Sequence, residues 1–148
     1  MSTNVATAPS VLVTDQSAKP VAGVAVVFSI GSGGGSVTGG SATTNASGIA
    51  TVGSWKLGTG DGANTLTASS SGLSSVTFNA TGVADAAASI ALNGGDNQTA
   101  TVDTTVSTAP SVRIADQYGN PVAGISVTFA IGSGGGSVTG ANATSAAN

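Results

Sequence analysis

The sequence contains no cysteine and no histidine, and its six acidic residues are all aspartates. Without cysteine the chain can form neither a disulfide nor a thiolate metal site, and without histidine it cannot assemble a Ser-His-Asp or Cys-His catalytic group. All six aspartates lie in predicted turns or linkers, where a solvated carboxylate is expected rather than a catalytic pair. We therefore predict that the protein is not an enzyme. The aspartates are Asp15, Asp61, Asp85, Asp96, Asp103 and Asp116.

Charge of either sign is scarce, since three basic and six acidic residues give a net charge of -3. Three basic side chains cannot form the patch that neutralises nucleic-acid phosphates, so we expect no nucleic-acid partner. No apolar run is long enough to span a bilayer, so we expect no membrane insertion. The first seven residues have neither a basic start nor an apolar run, so we do not expect an export signal within this chain.

Aromatic residues are also rare, at 3% of the chain, although hydrophobic residues make up 40%. The apolar side chains are therefore mainly Ala and Val, and they are accompanied by abundant Thr and Ser and by 23 glycines. β-Branched residues suit a pleated strand, whereas glycine suits tight turns. This composition predicts an all-β protein built from short strands.

The chain contains an internal repeat with a shift of 101 residues. Thr7-Ala-Pro-Ser-Val11 returns as Thr108-Ala-Pro-Ser-Val112, and the nine residues from Gly31 to Gly39 return unchanged from Gly132 to Gly140. A period near one hundred residues is typical of a β-sandwich domain. Each period is therefore predicted to be one domain.

The domain boundaries do not coincide with the ends of the chain. Strand-like stretches at Ala86 to Asn93 and Gln98 to Val102 have no counterpart in the first copy, and the second copy stops before any equivalent of Gly48 to Val52. We predict tandem immunoglobulin-like antiparallel β-sandwich domains over residues 1-84 and 85-148. The first is expected to lack its opening strand and the second its closing strands, so both are incomplete at the chain ends.

Alternation of apolar residues predicts the strands. Besides the strands that carry the two core faces given below, strands are expected over residues 49–57, 63–69 and 74–81. A complete copy then has about seven strands, which is the pattern of an antiparallel sandwich. The only tryptophan, Trp55, is expected in the core on the same face as Ile49, Thr51 and Leu57. The clearest core faces are Val24, Val26, Phe28 and Ile30 in the first copy and Ile125, Val127, Phe129 and Ile131 in the second.

A turn joins two of the strands in each copy. In the second copy Asp116-Gln-Tyr-Gly-Asn-Pro121 predicts this turn, with Gly119 and Asn120 accepting positive φ. The first copy has Ser17-Ala-Lys19 in the same place, which encodes such a turn less well.

Together these motifs resemble the bacterial immunoglobulin-like repeats of the invasin and intimin type. The resemblance rests on Asp116 to Phe129, the Gly-Gly-Gly loop, Thr44-Asn-Ala-Ser-Gly-Ile-Ala50 and Asn64-Thr-Leu-Thr-Ala68. It implies an extracellular or cell-surface scaffold, often part of an adhesin. It does not imply a particular receptor.

Three functions remain open at this stage. The first is a non-catalytic structural repeat that acts as a stalk or spacer in adhesion, with neighbouring immunoglobulin-like domains as partners. The second is a subunit that assembles into fibres by strand complementation, with residues 89–102 completing a domain of another copy. The third is a module that binds a glycan or a host or matrix protein through loops such as Gly58 to Gly62. The candidate residues for strand donation are Ser89, Ile90, Leu92, Thr99, Thr101 and Val102.

We expect no resident cofactor. The loop Gly31-Ser-Gly-Gly-Gly-Ser36 lacks the Lys-Ser/Thr of a phosphate-binding loop and leads into a strand rather than a helix. Calcium at the domain junction is the one metal considered, because Asp85, Asp96 and Asp103 could offer oxygen ligands there.

Overall fold

A computed structural model describes residues 3–147. Within that range the chain is all β and holds twelve strands, and no helix is long and apolar enough to cross a membrane. The chain divides into two compact units between Val83 and Ala84. The strands of unit 1 are β1 (Ser10–Leu12), β2 (Ala25–Ser32), β3 (Ser36–Thr38), β4 (Ser41–Thr43), β5 (Ile49–Thr51), β6 (Ser54–Lys56), β7 (Gly62–Ser69) and β8 (Val76–Gly82). Those of unit 2 are β9 (Ser89–Gly94), β10 (Ser111–Ala115), β11 (Ser126–Thr128) and β12 (Asn142–Thr144).

Unit 1 contains a four-stranded antiparallel sheet in the order β4-β2-β7-β8 and two two-stranded ladders, β1-β5 and β3-β6. The predicted alternation of β2 is confirmed, because Val26 and Phe28 are buried while Val27 and Ser29 are exposed. One core is shared by the sheet and both ladders. Its buried members are Val26, Phe28, Ala50, Val52, Trp55, Leu57, Leu66 and Ala68.

The single strand predicted over residues 49–57 is wrong. The segment forms two strands in different ladders, since β5 pairs with β1 and β6 pairs with β3. The break falls at Val52-Gly53, and it shifts the alternation. Trp55 is buried as expected, but it shares the core with Ala50, Val52 and Leu57, whereas Ile49 and Thr51 are exposed.

Unit 2 contains two antiparallel ladders, β9-β10 and β11-β12. Its buried apolar residues are Ile114 and Ala115, and the equivalent of the β2 face is only half-buried at Val127 and Phe129. In unit 1 that face shares a core with Ala50, Val52 and Trp55 of the segment that carries β5 and β6, and the 148 residues include no positions 101 residues after these three.

The strand predicted over Gln98 to Val102 does not form. Instead the Gln98 side chain braces an irregular loop, because its Nε2 donates to the carbonyl oxygens of Gly95 and Thr108 at 2.8 and 2.7 Å. Its Oε1 also accepts the Thr108 N–H at 2.8 Å. These bonds hold the backbone of residues 95–108 in a closed loop rather than an extended chain.

Both sequence repeats form the same turn after β1 and β10. Asp15 Oδ1 accepts the N–H groups of Ser17 and Lys19, and Asp116 Oδ1 accepts those of Tyr118 and Asn120. Of the two residues predicted to adopt positive φ, only Gly119 does, at 87°, while Asn120 uses its side-chain amide to bond Asp116. The first copy also forms the turn, but with Ala18 at φ 61°, a conformation that favours glycine, so its turn is encoded less well, as predicted.

A side-chain hydroxyl ties two segments together in both repeats. Thr44 Oγ1 accepts the Val24 N–H at 2.9 Å and donates to the Val21 carbonyl at 2.7 Å. Ser145, which is 101 residues later, bonds Ile125 and Val122 at the same two distances. The repeated sequence therefore encodes a repeated hydrogen-bond pattern.

Candidate functional site

The first candidate is the strand predicted for donation. Ser89, Ile90 and Leu92 lie in β9, where Ile90 and Leu92 are each 62% exposed. β9 pairs antiparallel with β10, with Ile90 opposite Ile114 and Leu92 opposite Val112. The other predicted donors, Thr99, Thr101 and Val102, lie outside any strand. Only the segment Ser89–Gly94 therefore has the extended backbone that strand pairing needs.

The second candidate is one edge of β1 in unit 1, which we call the β1 edge and define as the main-chain groups of Ser10, Leu12 and Thr14. The opposite edge is paired with β5, since Val13 donates to the Gly48 carbonyl at 2.8 Å and Pro9 accepts from Val52 at 3.0 Å. Main-chain groups alternate in direction along a strand, so those of the β1 edge point away from β5. No strand of the described chain pairs there.

An apolar groove of about 210 Å³ runs beside the β1 edge. Leu73 and Val76, which are about half-exposed, lie on its wall with the core residues Val26 and Ala68. Val11 and Val13 of the β1 region also line the groove and pack against the core.

The third candidate is a concavity of about 380 Å³ between two glycine loops, Gly33–Ser36 and Lys56–Gly60, which includes part of the loop predicted to bind a ligand. The glycines there are needed for packing. A Cβ on Gly58 would overlap the carbonyl oxygen of Gly33, and a Cβ on Gly35 would overlap that of Lys56. Lys56 is the only charged residue in its lining, so the surface offers mainly backbone amides and carbonyls.

The fourth candidate is Asp116, a buried carboxylate in a turn where a solvated one was expected. Burial by itself raises its pKa, but hydrogen bonds from Asp85 N, Asn120 Nδ2, Asn120 N and Tyr118 N to the carboxylate lower it more. The net effect holds the pKa of Asp116 well below its ordinary value. All these donors belong to the protein's own backbone or turn, so the carboxylate is used to fix local structure.

The predicted calcium ligands have partners of their own. Asp85 accepts the Ala86 N–H at 2.9 Å, and Asp96 accepts from the Asn97 side chain at 2.9 Å. Among residues 3–147, no three acidic side chains are grouped to hold a metal ion. Calcium binding near Asp85, Asp96 and Asp103 remains a prediction.

Comparison with protein-family models, with curated proteins and with solved structures gave no match. The functional argument therefore rests on the chain's own repeat and geometry. Of the four candidates, the concavity and Asp116 are explained by packing and by the turn. Among residues 3–147, the β1 edge and its groove combine main-chain groups that no strand pairs with and apolar surface that neither packing nor the turn explains.

Proposed function

We propose that the protein is a non-catalytic structural module of a bacterial surface or secreted protein, in which immunoglobulin-like β-sandwich repeats act as a spacer. The observation that carries this proposal is the repeat itself. The turn held by the Asp15 carboxylate recurs 101 residues later at Asp116. The hydrogen bonds of the Thr44 hydroxyl to two backbone groups recur at the same shift at Ser145. A chain of spacer domains requires that the hydrogen bonds which hold each domain together recur in every copy, and it does not require a reactive group.

The sheet pattern of unit 1 supports the sandwich assignment. A four-stranded sheet and two ladders enclose one core built from alternating side chains, which is the packing principle of a β-sandwich. The resemblance to invasin-type and intimin-type repeats supports the surface location. Binding through the glycine loops has less support, because no aromatic side chain lines their concavity.

A spacer must resist tension, so single-molecule pulling tests the proposal. With handles at both ends of the full chain, unit 1 is expected to unfold in one discrete step. At about 3.5 Å per extended residue, its 3–83 segment would release roughly 280 Å of chain. Phe28→Ala should lower the unfolding force, while Ser29→Ala on the exposed face of the same strand should leave it unchanged. Smooth extension without a discrete step at every pulling speed would contradict the proposal.

A further inference from the structure

The β1 edge of unit 1 has an equivalent in unit 2 that is occupied. Ser10, Leu12 and Thr14 correspond, at the 101-residue shift, to Ser111, Arg113 and Ala115 of β10. In unit 2 the Ala115 carbonyl accepts the Ala88 N–H at 2.8 Å, so this edge of β10 faces β9. In the part of the chain that the structure describes, this edge of β1 therefore has no paired strand, whereas the equivalent edge of β10 has one.

The pairing in unit 2 supplies a register for the empty edge. If β9 paired with β1 as it pairs with β10, at equivalent positions of the repeat, Leu12 would lie opposite Ala91, Val13 opposite Ile90 and Val11 opposite Leu92. Residues directly opposite one another in an antiparallel pair point to the same face. Because Val11 and Val13 pack against the core of unit 1, the side chains of Ile90 and Leu92 would enter the groove beside them.

We propose that the β1 edge accepts the segment Ser89–Gly94 of a second copy of this chain, antiparallel and in that register. The segment SIALNG carries no charge, and none of the residues that line the groove is charged, so no electrostatic repulsion opposes the contact. In its own unit the segment leaves Ile90 and Leu92 largely exposed, whereas the groove offers them apolar walls from the four-stranded sheet. Transfer exchanges the β9-β10 ladder for an equivalent ladder with β1, and it moves Ile90 and Leu92 from largely exposed positions to apolar walls.

This interaction goes beyond the spacer role and can fail while that role holds, because it depends on the open β1 edge and on the register of β9 with β10 rather than on resistance to tension. It is also narrower than strand donation by residues 89–102 as a whole. Gln98 holds the later part of that segment in a closed loop, so residues 95–102 do not take part.

Disulfide trapping tests the register directly, because the chain has no cysteine of its own. A Leu12→Cys chain and an isotopically heavy Ala91→Cys chain are mixed and oxidised in a thiol redox buffer, and the disulfide-linked dimers are weighed by mass spectrometry. Both positions are exposed, so each variant should fold, which the emission of Trp55 checks for unit 1. The mixed dimer is expected in several-fold excess over the two like dimers.

An offset pair provides the matched control. Ser89 is two residues from Ala91, the expected partner of Leu12. In the proposed register, positions 89 and 12 would therefore be more than about 7 Å apart, which is too far for a disulfide. Ser89→Cys should link poorly to Leu12→Cys, and linking should be restored with Thr14→Cys, its expected partner. Adding Ile90→Asp to the Ala91→Cys chain should reduce the mixed dimer, because the charge would enter an apolar groove. Statistical proportions of the three dimers, or equal linking by the offset pair, would overturn the proposal.

Discussion

Replacing Phe28 and Phe129 by alanine, one at a time, compares the same residue of the repeat in two different surroundings. Phe28 is 3% exposed, and its ring centroid lies 6.4 Å from that of Phe78 in the core of unit 1. Phe129 lies 101 residues later and is only half-buried, and the 148 residues include no equivalents of Ala50, Val52 and Trp55, which share the core with Phe28. The sequence context is shared, so any difference between the two variants reports the surroundings.

The expected magnitudes follow from the burial of each ring. Truncation of an enclosed Phe loses its transfer free energy and leaves a cavity, so Phe28→Ala should cost about 3–5 kcal/mol. At Phe129 the space opens to solvent and no enclosed cavity forms. Phe129→Ala therefore loses only part of the transfer free energy of the ring, which is roughly 1 kcal/mol. Since domains of this size are stable by about 0.05–0.15 kcal/mol per residue, Phe28→Ala should remove much of the stability of unit 1.

Denaturant titration followed by the fluorescence of Trp55 provides the assay. This residue is the only tryptophan and is buried in unit 1, so its emission reports that unit alone. Phe28→Ala should move the midpoint sharply to lower denaturant, and Ser29→Ala should leave it in place as a control for the strand. Phe129→Ala should change the circular dichroism transition but not the fluorescence midpoint. The reasoning is refuted if Phe129→Ala shifts the fluorescence midpoint as far as Phe28→Ala does.

Three further predictions concern single backbone and side-chain features. Because the folded-state pKa of Asp116 is lowered, its carboxylate stabilises the protein above the unfolded-state pKa of about 3.9, and this stabilisation is lost as the pH falls below that value. Asp116→Asn should therefore make the free energy of unfolding depend less on pH in the acid range, and an unchanged dependence would contradict this. Ala18→Gly should raise the free energy of unfolding by roughly 0.5–1 kcal/mol because it relieves the positive φ, while Gly119→Ala should lower it. A lower denaturation midpoint for Ala18→Gly would count against the argument. Gly58→Ala should lower the free energy of unfolding by about 1–3 kcal/mol, because the added Cβ would overlap the Gly33 carbonyl oxygen. Gly60→Ala, whose Cβ would have nothing within 4 Å, should leave it nearly unchanged in the same titration, and equal effects of the two variants would argue against the overlap.

Short-range patterns in the sequence were enough to predict part of the fold. The alternation at Val26 and Phe28 has the two-residue period of a half-buried strand, so it identified the inner face of β2 directly. The turn after β10 was also predicted, from Gly119, Asn120 and the following proline, although the bonds that the Asp116 carboxylate accepts from the backbone two and four residues on were not. Both signals lie within a few residues, where a pattern is informative.

Features that depend on distant parts of the chain were missed. The break at Gly53 is one example, because a Cβ there would lie 2.8 Å from the Thr38 carbonyl oxygen, 15 residues away in sequence. The burial of Asp116 is another, since one of its donors is the Asp85 N–H, 31 residues earlier. The groove beside β1 is formed by residues from four separated segments. No local pattern carries such information.

The hydroxyl at Thr44 and Ser145 also has a practical consequence for finding other copies of this unit. Each bonds one N–H exactly twenty positions upstream and one carbonyl three positions before that. Valine would match threonine in shape but would leave both backbone groups without that partner. A search pattern that demands an oxygen-bearing side chain at this spacing would therefore detect divergent copies that a hydrophobicity profile overlooks.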